Sequence, residues 1–70
     1  MYYKVFTPDE IKDIRGKQNL SQEKFADLLG ISVITLRMWE QGRRKPRPAA
    51  NTLLMVAKHH PSVLYKLAEV

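Results

Sequence analysis

The 70-residue chain has no cysteine, which removes disulfides and thiolate metal sites and suits an intracellular setting. It has no long apolar run. The richest stretch, Leu53-Leu54-Met55-Val56-Ala57, falls far short of the roughly 20 residues that span a bilayer, so no membrane association is expected. Met1 to Phe6 lacks the extended apolar segment of a secretory signal. No segment alternates convincingly as a strand, although Tyr2 to Phe6 could be extended, and repeats and low-complexity tracts are missing. Histidine is confined to the adjacent pair His59-His60, whose side chains diverge by about 100° on a helix with no cysteine or nearby carboxylate to complete a ligand set. No metal or other cofactor is expected. Ser21, Ser32 and Ser62 lack the base and orienting acid of a nucleophile, and read better as helix-start residues, so catalysis is not expected.

What is present is a single small domain, residues 1–70, with an ordinary apolar fraction of 44%. The net charge is +5, and its placement is more informative than its size. Arg37, Arg43, Arg44, Lys45 and Arg47 stand against Glu40 alone, so a net +4 lies between positions 37 and 47. Such clustering is the electrostatic footprint of a phosphate-binding surface.

Helix signals divide the rest. Thr7-Pro8-Asp9-Glu10 combines an N-cap, a first-turn proline and a capping-box acid, starting a helix to Lys17 or Gln18 with Ile11 and Ile14 inward. Gly16 weakens that helix by roughly 1 kcal/mol for no evident return. Ser21 caps a second helix of about eight residues, with Phe25, Leu28 and Leu29 at helical spacing and Gly30 as its stop. Ser32 caps a third, with Leu36 and Trp39 inward and Gly42 ending it. A fourth helix should run from Pro48 to about Lys58, burying Ala49 or Ala50, Leu53, Leu54 and Ala57. A fifth runs from His60-Pro61 to about Glu69, with Val63, Leu64, Leu67 and Ala68 apolar. Tyr2, Tyr3 and Phe6 are placed over the base of the first and fifth helices, or offer stacking surface to a single strand.

Helices two and three are too short to stand alone and must pack on the first and fourth. That frees the outer face of the third, carrying Val33, Ile34, Thr35, Arg37, Met38 and Gln41. In a helix-turn-helix, the second helix presents its N-terminal residues to base edges in the major groove. Apolar side chains there meet thymine methyls, and arginine bonds guanine O6 and N7. The bland alternatives are that Ile34 and Met38 pack on the second helix or a partner protein, and that Arg37 is merely solvated or phosphate-bound.

From Ile11 to Leu64 the chain resembles the lambda-repressor-like helix-turn-helix family, also called the Xre family. The runs LSQEKFADLLGIS, TLRMWEQGRRKP and PRPAANTLLMVAKHHPSVL most resemble antitoxins of the HigA and MqsA type and their NadS-like relatives. The resemblance implies an all-α, five-helix DNA-binding domain, with its helix-turn-helix at about 21–42 and a dimerisation region within 48–70. It implies a non-enzymatic transcriptional regulator, repressing its own toxin–antitoxin operon as a homodimer on double-stranded operator DNA in the prokaryotic cytoplasm, associated with the nucleoid. By position, Val33, Ile34, Thr35, Arg37 and Met38 would read bases. Ser21, Gln22, Ser32, Gln41, Arg43, Arg44, Lys45 and Arg47 would hold phosphates. Arg15 and Glu40 match a buried ion pair of phage repressors, against the simpler reading that each is separately solvated. Leu64, Tyr65 and Ala68, with Val70, would build the dimer surface, unless they close the domain's own core. Related antitoxins often carry polar residues where this chain has Ile34 and Met38, so an operator preference does not transfer. A toxin protein is the alternative principal partner. About seven residues precede the first helix, so the toxin would dock on the helical body, or the chain acts alone, or the sequence belongs to a longer protein.

Overall fold

The computed structural model describes residues 4–68, which form α1 (Pro8–Lys17), α2 (Gln22–Leu29), α3 (Val33–Glu40), α4 (Pro48–His59) and α5 (Pro61–Ala68). Tyr2, Tyr3 and Val70 lie outside the described residues.

Local chemistry sets each helix boundary. Thr7 Oγ1 accepts the Glu10 N–H at 3.2 Å while Glu10 Oε1 accepts the Thr7 N–H at 3.0 Å, a complete capping box. Ser21 Oγ accepts the Lys24 N–H at 3.1 Å to start α2, and Ser32 Oγ accepts the Thr35 N–H at 3.1 Å to start α3. Gly30 ends α2 at φ +74°, a left-handed backbone that glycine adopts without strain, and the Gly30 and Ile31 N–H groups close onto Asp27 and Ala26 carbonyls.

These helices enclose one core: Phe6, Ile11, Ile14, Phe25, Ala26, Leu29, Leu36, Trp39, Leu54, Ala57 and Leu64. α3 packs against α1 and α2, α4 against α1 and α5, and α5 also against α2. The short helices thus gain from tertiary burial the stability their length denies them.

Two expectations are revised. In α4 the buried stripe is Asn51, Leu54 and Ala57; Leu53 and Ala50 are half-buried and Ala49 is exposed. A polar side chain holds the first place because it serves the backbone: Asn51 Nδ2 donates to Pro46 O at 2.8 Å and Arg47 O at 3.1 Å, and its Oδ1 accepts the Phe6 N–H at 3.0 Å. Phe6 lies against α4, where its N–H meets Asn51 and its ring sits 6.0 Å from Lys58 Nζ. Leu64, assigned to the dimer surface, is 3% exposed and belongs to the core, because the α5 register turns it toward α2 and α4. Tyr65 and Ala68 remain exposed.

Candidate nucleic-acid interface

The inner side of α3 is anchored by Leu36, Trp39 and Glu40, all buried. Glu40 is the polar member, and it is fully satisfied. Arg15 grips it with two bonds, Nε to Oε2 at 2.8 Å and Nη2 to Oε1 at 3.0 Å, while Arg15 Nη1 donates to Leu20 O at 3.2 Å. Gln22 Nε2 adds a third bond to Glu40 Oε1 at 3.0 Å. Burial works to raise the Glu40 pKa, but the bonds from Arg15 and Gln22 prevail and hold its carboxyl below the usual glutamate range. Arg15 comes from α1, Gln22 from α2 and Glu40 from α3, so one paired cluster fixes the three helices against each other.

With that side pinned, the opposite side of α3 faces out. Ile34 is 61% exposed and Arg37 is also exposed, whereas Val33, Thr35 and Met38 are half-buried. Val33 leans on the core, and the Thr35 hydroxyl shares a 3.0 Å hydrogen bond with Ser32 Oγ. The five residues assigned to base reading are therefore unequal: Ile34 and Arg37 stand out from the surface, and the other three border it. Arg37 does not hang free. Its Nε donates to Gln22 Oε1 at 3.2 Å, and its Nη2 lies 3.9 Å from Glu23 Oε2.

The basic segment leaves α3 through Gly42 at φ +75°, with the Arg43 N–H bonded to Met38 O at 2.9 Å. Gln41, Arg43, Arg44, Lys45 and Arg47 are all exposed, and among the described residues none of the four cations forms an ion pair. Pro46 between them is buried, and its carbonyl is held by Asn51. The loop backbone is therefore fixed while its charges stay available. Ser21 and Ser32 are exposed as well, each with its oxygen accepting a backbone N–H; the Ser21 hydroxyl proton can still donate outward, while the Ser32 hydroxyl is also bonded to that of Thr35.

Asn51 is the residue that sequence reasoning missed. The signal was its place on the stripe of Leu54 and Ala57, three residues before Leu54. A polar residue on a stripe that packing requires to be buried must have backbone partners.

Around Tyr65 and Ala68, an open groove of about 480 Å³ is bordered by Leu20, Lys24, Asp27 and Leu28. No helix among the described residues is long and apolar enough to cross a membrane, and no group of three His, Cys, Asp or Glu is placed to hold a metal ion.

Two capped eight-residue helices, a tight turn, an outward face on the second and a cationic exit define the helix-turn-helix class of DNA-binding regulators. The family described as Helix-turn-helix (HTH_3) matches residues 11–58, and the chain belongs to it. Over 64 residues the chain is 47% identical to Antitoxin HigA-2 of Vibrio cholerae serotype O1, covering 91% of this chain and 62% of that protein. It is 33% identical over 60 residues to the Uncharacterized HTH-type transcriptional regulator YiaG of Escherichia coli (strain K12), covering 86% of this chain and 62% of the relative. The chain thus spans a little under two thirds of the length of each relative.

Proposed function

We propose that the chain is a transcriptional repressor that binds a near-palindromic operator as a homodimer, inserting α3 into the major groove. The observation that carries this reading is the pairing of an outward Ile34 and Arg37 with unpaired cations just beyond them. An isoleucine 61% exposed on a helix already anchored by Leu36 and Trp39 adds little to the fold. Against thymine methyls it has a use, as has the arginine fork against guanine. Val33, Thr35 and Met38 would border the same contact. Ser21, Gln22, Ser32, Gln41, Arg43, Arg44, Lys45 and Arg47 would hold phosphates on either side. Two protomers would set their α3 helices about 34 Å apart, in successive major grooves. With Leu64 assigned to the core, Tyr65 and Ala68 beside the α2–α5 groove are what the dimer contact retains.

Selection of bound sequences from random duplex DNA tests the reading. The expected result is an inverted-repeat site and an affinity that falls steeply with salt. A sequence-blind, salt-insensitive complex would overturn it.

Likeness to Antitoxin HigA-2 favours a second role, neutralisation of a toxin protein and repression of the operon encoding both. Copurification with a small ribonuclease-like toxin encoded beside this chain is the expected result. If such a toxin is present and does not bind, the chain is a regulator alone.

A further inference from the structure

Gln22 stands between two groups of opposite demand. On one side is Glu40, an ionised carboxylate that can only accept hydrogen bonds; on the other is Arg37, which can only donate them. This fixes the orientation of the Gln22 amide: Nε2 must face Glu40, at 3.0 Å, and Oε1 must then face Arg37 Nε, at 3.2 Å. Glu40 is in turn locked by the two-bond grip of Arg15. A chain of defined hydrogen bonds therefore runs from the buried pair, through the first turn of α2, to the exposed face of α3.

We infer that Gln22 is a positioning residue for Arg37, and so helps determine sequence preference without touching a base. This rests on the reading of α3 as the base-reading helix. Of the five guanidinium protons of Arg37, the one on Nε is taken by Gln22, and Glu23 lies 3.9 Å from Nη2. What Arg37 can offer DNA is its outer Nη edge, in a direction set by α2. A bidentate contact to guanine needs that edge in the base plane, and an arginine held beforehand loses less side-chain entropy on binding than a free one. The second Nε2 proton of Gln22 remains open to a phosphate, so one side chain can both anchor the backbone and aim the reader.

The roles separate experimentally. Sequences are selected from random duplex DNA with the wild type, Arg37→Ala, Gln22→Met, Gln22→Glu and the Gln22→Met/Arg37→Ala pair, each with its folding checked by thermal melting. Arg37→Ala should relax preference at one base pair per half-site, by about 5- to 100-fold. Gln22→Met should relax the same base pair by a smaller factor, roughly 3- to 10-fold, and add nothing at that pair once Arg37 is gone. Gln22→Glu keeps an acceptor for Arg37 Nε and should retain the preference while placing a second carboxylate beside Glu40 and lowering the melting temperature. If Gln22→Met weakens all sequences equally and leaves the preference intact, Gln22 is a phosphate contact alone and the inference fails while the operator reading stands. The same holds if Arg37→Ala relaxes no base pair. If the wild type selects no sequence at all, the operator reading fails first.

Discussion

Two polar constellations of this domain lie within a few residues of each other and are built on opposite terms. Arg15, Gln22, Arg37 and Glu40 spend their hydrogen bonds on one another. Arg43, Arg44, Lys45 and Arg47 make no ion pair with any described residue and ride on a backbone that Asn51 and Gly42 hold in place. The paired set decides where α3 points; the unpaired set keeps its charge for a partner. A helix-turn-helix domain of this size needs both, since a reading helix of eight residues can neither hold its own direction nor supply enough affinity alone.

The comparison breaks most sharply at Glu40. Glu40→Ala leaves the half-buried Arg15 guanidinium with only the Leu20 carbonyl as partner, and should cost about 3 kcal/mol in urea unfolding, the low end for a buried pair. An unchanged midpoint would mean the pair contributes nothing net. Asn51→Leu comes next. It strands the Phe6 N–H and the Pro46 carbonyl and should cost roughly 2–4 kcal/mol by the same measurement. It should also slacken the basic loop, so its loss of DNA affinity ought to exceed what folded fraction alone explains. Neutralising the exposed cations, by contrast, should move stability by less than about 0.5 kcal/mol.

Acid sharpens the same contrast. The folded Glu40 carboxyl lies below its usual range despite burial, so its contribution is present above the unfolded glutamate value of about 4.3 and is lost as pH falls through the folded value. Glu10 adds to the same limb. Its hydrogen bond with Lys4, then that with the Thr7 N–H, lowers its pKa to about 2, placing its window between about pH 4.3 and 2. Glu40→Gln should therefore flatten part of the acid denaturation limb while Lys45→Ala leaves its shape alone. If both curves keep the wild-type shape, Glu40 is not linked to folding.

How much of this could be read in advance depended on whether the signal was local. Thr7, Ser21 and Ser32 announce their helices, because a cap and its N–H partner lie three residues apart. Gly30 and Gly42 announce the turns for the same reason. Asn51 was not legible that way, since its partners include Phe6, 45 residues distant. Gln22 was legible as a helix-start residue and, by resemblance, as a phosphate contact; its place between Glu40 and Arg37 depends on how three helices meet. Leu64 failed for a related reason. Pattern alone marks α5 as apolar at Val63, Leu64 and Leu67, and only packing reveals that Leu64 turns inward while Val63 and Leu67 stay 45% and 63% exposed.

The smallest expected effect isolates the unpaired set. If Arg43, Arg44 and Lys45 each neutralise a phosphate, replacing any one by alanine should reduce the log–log salt slope by about 0.9 per protomer and weaken every sequence alike. Between 50 and 200 mM salt that is about a 3.5-fold difference per protomer, or roughly twelvefold for a dimer carrying the change in both protomers, and it is read from the slope over several salt concentrations. Arg37→Ala is the control from the other constellation. Because Glu23 lies beside its guanidinium and Gln22 already holds its Nε, it should change base preference more than slope. Should Arg37→Ala lower the slope as much as Arg44→Ala does, and no base pair relax, the two constellations do the same work and the division between them is wrong.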